Sequence, residues 1–141
     1  MRVVLEEGAK LPTRAHTWDA GLDLYAPDIP GTFTINPCGG SATINTGVHV
    51  EIPEGYVGFV KAKSGLNVKH GLTCTGVIDA HYTGSIVVKL YNHHPCLRYD
   101  VRPGDKIAQL VIVPCLMPEL ELVDSLEETD RGACGFGSTG R

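Results

Sequence analysis

Two stretches of this chain, Tyr56-Val-Gly-Phe-Val-Lys-Ala-Lys63 and Ser85-Ile-Val-Val-Lys-Leu-Tyr91, carry the two-residue apolar alternation of strands. A third, Lys106-Ile-Ala-Gln-Leu-Val-Ile-Val113, is a nearly continuous apolar run, as expected of a strand with substantial burial. Shorter strand candidates lie at residues 3–6, 22–25, 31–35, 42–50 and 72–77. Between them Gly and Pro mark turns at 27–31, 37–40, 53–55 and 103–104. Only one short helix is expected, around residues 65–69 after Ser64, and it is too short to organise a fold. The chain therefore reads as all-β, a barrel or jelly-roll-like sandwich. Past Pro114 a last strand is expected near 119–123, followed by the acidic connector Glu127-Glu-Thr-Asp130 and a glycine-rich tail. The division is a β-domain over residues 1–126 and a connector with a flexible arm over 127–141.

A formal net charge of -4 offers no broad basic surface for a nucleic-acid backbone, although a small phosphorylated ligand needs only a few local cations. No run approaches the roughly 18 apolar residues of a membrane span, and the start lacks the apolar stretch of a signal peptide. The expectation is a cytoplasmic protein, or one in a host cytoplasm. Five cysteines, at 38, 74, 96, 115 and 134, are odd in number and lack metal-finger spacing, so they read as free thiols. Cys38, Cys74, Cys96 and Cys115 are expected to be small buried or half-buried side chains.

Three segments could carry chemistry. Gly76-Val-Ile-Asp-Ala-His-Tyr-Thr-Gly84 sets an acid, an imidazole and a phenol between two glycines, as in a hairpin turn that reaches a site. Asp79, after the apolar pair Val77-Ile78, is the best carboxylate for a general base, though a solvated turn would carry the same residues. Lys61-Ala-Lys-Ser-Gly-Leu-Asn67 offers an ammonium, a hydroxyl and free N–H groups at a helix start, a phosphate-holding arrangement that an ordinary turn also produces. In the tail, Arg131-Gly-Ala-Cys-Gly-Phe-Gly-Ser-Thr-Gly-Arg141 places an aromatic, basic groups and hydroxyls in a segment too glycine-rich to pack by itself. Ordering it costs about 1 to 2 kcal/mol of backbone entropy per residue. Stacking of Phe136 on a base would return about 1 to 3 kcal/mol, so the tail makes sense as a lid over a nucleotide. Asp105 reads as a turn stabiliser, and Gln109, interrupting an apolar strand, needs a partner from the backbone or a substrate.

Five motifs together resemble the homotrimeric dUTP diphosphatase (dUTPase) family. They are Asp19-Ala-Gly-Leu-Asp-Leu24, Lys63-Ser-Gly-Leu66, the 76–84 segment, Arg102-Pro-Gly-Asp-Lys-Ile-Ala-Gln109 and the tail from Arg131, in the family's order and across nearly the whole chain. The resemblance implies a jelly-roll-like distorted barrel of the β-clip type, hydrolysis of dUTP to dUMP and pyrophosphate, and a homotrimer with sites shared between subunits. Such an enzyme limits uracil incorporation into DNA and supplies dUMP for thymidylate synthesis. By resemblance Asp79 activates the water that attacks the α-phosphorus, and Tyr82 packs on the sugar where a ribose 2′-hydroxyl would clash. Uracil is read along residues 73–82, which include Thr73, Gly76, Val77 and Ile78. Lys63, Ser64, Gly65 and Gln109 match the phosphate-holding positions. Arg131, Phe136, Gly137 and Ser138 match the arm that closes a neighbour's site. Family members use Mg2+ carried on the triphosphate, which makes Asp23 a partner through water and not a direct ligand.

The chain departs from the family where arginine is usual and Lys63 stands, where a second aspartate is usual and His81 stands, and where glycine is usual and Cys134 stands. Two other readings follow. A dCTP deaminase shares the fold but does not resemble the full tail motif. A nucleotide-binding regulatory module with reduced catalysis and a protein partner would fit the three departures.

Overall fold

The computed structural model describes residues 1–133; the expectations for Cys134, Phe136, Gly137 and Ser138 lie outside the described residues. In chain order the elements are β1 (Val3–Leu5), β2 (Gly21–Tyr25), β3 (Phe33–Ile35), β4 (Ser41–Asn45), β5 (Val48–Val50), β6 (Tyr56–Lys61), α1 (Ser64–His70), β7 (Leu72–Thr73), β8 (Thr75–Ile78), β9 (Val87–Asn92), β10 (Tyr99–Val101) and β11 (Lys106–Pro114). All of the ladders are antiparallel. Four strands join in the order β2-β11-β6-β8, three as β4-β9-β7, and β1-β5 and β10-β3 form two-stranded pairs. The architecture is all-β, a distorted jelly-roll whose sheets do not close into a continuous barrel.

The sequence pattern explains the layout. β9 alternates without a break, with Val88, Leu90 and Asn92 buried and Val87, Lys89 and Tyr91 exposed, so one face meets the core. The nearly continuous apolar run becomes β11, which is paired on both edges, by β2 and by β6. Leu24, Ile35, Ile44, Leu72, Ile86, Leu90, Ile107 and Leu110 are fully buried in one cluster, each contributing about 1.5 to 3 kcal/mol through burial. The buried polar Asn92 is satisfied: its amide donates to the carbonyls of Ile35 and Leu97 at 3.0 and 2.8 Å, and its Oδ1 accepts from the His94 N–H at 2.9 Å.

Several expectations need correction. The 42–50 stretch is two strands, because Thr46-Gly47 turns the chain and Thr46 Oγ1 donates to the Ile86 carbonyl at 2.7 Å. The 72–77 stretch breaks at Cys74, sending β7 to β9 and β8 to β6. The 76–84 segment is consequently no hairpin, since β8 and β9 belong to different sheets and it crosses between them. The short β10 carried too few residues to show a period. Residues 119–123 form no strand, with Leu120 and Leu122 98% and 100% exposed, because an apolar alternation with no neighbouring edge in the chain has nothing to pair with. Helix α1 starts at Ser64, with Lys63 at the N-cap and no side-chain cap; it ends at left-handed Gly71. Of the four described cysteines only Cys74 is buried, and burial pushes its thiol up to about 11. Cys38, Cys96 and Cys115 are exposed because they sit in turns and loops outside the strands.

Candidate active site

One group of predicted residues gathers where β2, β11 and β6 run side by side. Asp23 of β2 pairs with Gln109 of β11, and Gln109 pairs with Lys61 of β6. The Asp23 carboxylate is only 4% exposed, and it receives the Lys63 ammonium on Oδ1, while Lys106 Nζ lies 2.8 Å from Oδ2. Burial works against its charge, yet the ammonium groups of Lys106 and Lys63 outweigh it and hold the carboxyl below the usual aspartate value. Asp23 in turn raises the pKa of Lys106. The Gln109 amide donates to the Ala62 carbonyl at 3.2 Å, and a Cβ on Gly21 would collide with the Gln109 side chain. Next in the chain come Ser64 and Gly65, at the uncapped start of α1, where the first-turn N–H groups are short of acceptors. These groups together suit an anion.

Neither Lys63 to Asp23 nor Lys106 to Asp23 is legible locally, because each pair is brought together only by strand register. Lys106 was visible only as a residue of the fourth motif. As for magnesium, no trio of His, Cys, Asp or Glu converges among the described residues. Both oxygens of Asp23 face ammonium groups, so the donor set fits an ion carried on phosphate oxygens and waters near that carboxylate, not one seated in a protein cage.

The second group sits on the connection from β8 to β9. Asp79 is exposed, immediately after buried Ile78. A tight turn follows: the Tyr82 N–H donates to the Asp79 carbonyl at 3.3 Å, and His81 takes a left-handed φ of 66°. In this turn His81 Nε2 lies 3.2 Å from Glu54 Oε1. Tyr82 donates from its hydroxyl to the Ser85 carbonyl at 3.2 Å, and its ring folds over Gly84, where any Cβ would strike it. Two surface cavities border the turn, and His81 lines both. One, of about 370 Å3, is lined by Asp79 with Glu54, Tyr56 and Met117. The other, of about 490 Å3, is lined by Tyr82 and Thr83 with Arg2 and His49. Upstream, Gly76 and Val77 lie along β8, Val77 more than half exposed, and Thr73 Oγ1 is 2.8 Å from His93 Nε2. Arg131 lies in a turn closed by the Gly132 N–H on the Thr129 carbonyl at 2.9 Å.

Within one chain the two groups do not meet. β6 and β8 run antiparallel with Lys61 opposite Thr75 and Gly58 opposite Ile78. Lys63 and Ser64 extend from one end of this ladder and Asp79 from the other, a separation of about 20 Å at about 3.3 Å per residue.

Comparison with known proteins gives these residues a context. A sequence model of the dUTPase family matches residues 7–140. A deoxyuridine 5'-triphosphate nucleotidohydrolase of Clostridium tetani is 43% identical over 141 residues, covering 98% of this chain and 94% of its own length. One from Leifsonia xyli is 43% identical over 134 residues, covering 93% of this chain and 86% of its own. Among solved structures, the Staphylococcus bacteriophage 80alpha dUTPase with dUPNHPP superimposes with a TM-score of 0.89 at 36% identity, covering 99% of this chain and 98% of its own. A mutant dUTPase from phage phi11 of S. aureus, described for its coordination of a structural Mg(II) ion, has a TM-score of 0.80 at 34% identity over 90% of this chain and 98% of its own.

Proposed function

The chain belongs to the dUTPase family and is an enzyme that hydrolyses dUTP to dUMP and pyrophosphate, and from that premise we propose how its residues divide the reaction. Asp79 accepts a proton from a water and aims its oxygen at the α-phosphorus. The new bond is from that oxygen to phosphorus, the bond broken runs from the α-phosphorus to the bridging oxygen, and pyrophosphate leaves with the electron pair. Exposure of Asp79 beside a cavity supports this role, because both water and substrate can reach it. The Tyr82 ring lies against the deoxyribose and leaves no room for a 2′-hydroxyl. Backbone groups along residues 73–82, including those of Thr73, Gly76, Val77 and Ile78, read the uracil edge.

The phosphates bind at the Asp23 group. Lys63, the Ser64 hydroxyl, the Gly65 N–H and Gln109 hold the chain of phosphates, and Arg131, Gly137 and Ser138 close over it while Phe136 stacks on the base. Asp23 aims the Lys63 ammonium and would hold, through water, a magnesium ion that would supply charge neutralisation and orientation when bound. Use of magnesium within the family is supported by the phi11 relative.

The observation that carries this reading is the separation of the two halves along the β6–β8 ladder. From this backbone separation of about 20 Å we infer that each site combines the Asp79 turn of one subunit with the Lys63 group of another, in a homotrimer whose arm crosses to a neighbour. No helix of the described residues is long and apolar enough to cross a membrane, and we place the enzyme in the cytoplasm, or a host's cytoplasm, without nucleic-acid contact. The residue assignment is tested by Asp79→Asn. Pyrophosphate release should fall about 100- to 10,000-fold while calorimetry shows dUTP still bound; release at the wild-type rate would remove Asp79 from the mechanism.

A further inference from the structure

Besides the His81–Glu54 contact, the turn that bears Asp79 and Tyr82 is fastened at two further points, and one of them uses a residue to which the reaction described above gives no role. Ser85 Oγ bonds to Asn45. Two residues earlier, the Thr83 carbonyl accepts a hydrogen bond from Nδ1 of His49 at 2.8 Å. His49 sits on β5 opposite Val4 of β1, and its Nε2 lies 2.9 Å from Oε1 of Glu6. Both partners are acceptors, a carbonyl and a carboxylate. The ring therefore satisfies both only when each nitrogen bears a proton. His49, Tyr82 and Thr83 also line the same cavity.

The grip falls at a sensitive place. Thr83 lies between Tyr82, whose hydroxyl folds back onto the Ser85 carbonyl, and Gly84, across which the ring lies. A shift of the Thr83 carbonyl therefore moves the ring. We propose that His49 is a positioning residue for sugar selection, holding the Tyr82 ring in place by gripping the Thr83 carbonyl from β5 while its imidazole is doubly protonated. The inference rests on the reading of Tyr82 as the group that excludes a ribose 2′-hydroxyl.

The charged groups around the ring are consistent with it. From the two ends of β1 come Arg2 and Glu6, from just past β5 Glu51, and from the turn His81 and Tyr82. Arg2 is paired with Glu51, and His81 with Glu54, which leaves Glu6 as the carboxylate directed at His49. The Thr83 carbonyl first, and Glu6 second, raise the pKa of His49 above its ordinary value. As pH climbs through that raised value the ring loses one donor, and a bare nitrogen then faces either the carbonyl or the carboxylate. The grip is present on the acid side and weakens on the alkaline side.

The experiment is kcat and KM for dUTP and for UTP, measured across the neutral range for the full-length wild type, His49→Gln, His49→Leu and Tyr82→Ala. Taking the ratio of kcat/KM values cancels ionisations that serve both substrates. Wild type should lose selectivity for dUTP over UTP as pH rises. His49→Leu should have lost about 10- to 100-fold of it at every pH, and His49→Gln, which keeps one donor without titrating, should be intermediate and flat. If Tyr82→Ala destroys selectivity while His49→Leu selects as wild type does at every pH, the role of His49 is overturned. If Tyr82→Ala selects normally, the reading of Tyr82 falls and the inference with it. Should His49→Leu fail to fold, wild-type and His49→Gln profiles decide, since parallel profiles overturn the proposal.

Discussion

Asp23 shows how one buried carboxylate can organise several cations. Its Oδ1 accepts from Lys63 and its Oδ2 lies 2.8 Å from Lys106 Nζ, two residues on different strands or their ends. Asp23→Ala removes the shared counter-charge and should destabilise the folded protein by about 2 kcal/mol, read from urea denaturation at neutral pH. The pH dependence has a defined sign. Because the folded carboxyl lies below the unfolded value of about 3.9, its contribution is fully present above that value and is lost as pH falls through the lower folded pKa. Wild type and Asp23→Ala should therefore converge in stability under acid, and a gap that stays constant down to strong acid would contradict the ion-pair account. Asp23 stood out in the sequence only as part of a motif; neither lysine partner could be read, since spacing along a chain carries no information about which strands become neighbours.

Strands differ in how far their residues announce them. β9 and β11 were legible because an alternating face or an apolar run continues for six residues or more. β10 was not, and β7 and β8 were read as one strand, because two to four residues show no reliable period of their own. What made 72–77 look like one strand was composition, whereas what breaks it at Cys74 is the demand of two separate ladders, one to β9 and one to β6. Position within a sheet also sets the energetic weight of each residue. Leu110, fully buried on the central strand β11, should cost about 2 to 5 kcal/mol when replaced by alanine. Val77→Ala, at a position 58% exposed on β8, should stay within about 0.5 kcal/mol in the same urea measurement. Equal losses at the two positions would mean that the β8 face is buried in the assembled protein.

At the scale of the whole molecule, the proposed sharing of sites between subunits follows from the placement of the Asp79 turn and the Lys63 group at opposite ends of the β6–β8 ladder. Asp79→Asn and Lys63→Ala should each be inactive alone if each side chain serves its own half of a site. Mixed and co-refolded in equal amounts, they should regain activity, because some sites then pair an intact turn from one chain with an intact phosphate group from another. Random assembly of a symmetric oligomer gives about a quarter of sites intact. Pyrophosphate release near that fraction supports shared sites, and none at all from a correctly assembled mixture would require each site to lie within one chain.

The amino-acid sequence by itself determined the fold class, the long strands, the motifs and the candidate base, because periodicity, turn residues and contiguous motifs are local properties of a chain. Tertiary structure alone decided which strands became neighbours, and with them the Asp23 ion pairs, the crossing of residues 76–84 between sheets and the contact of His49 with Thr83. Each depends on register between segments distant in sequence. That register is chosen by burial of the whole core at once, so no single segment contains it.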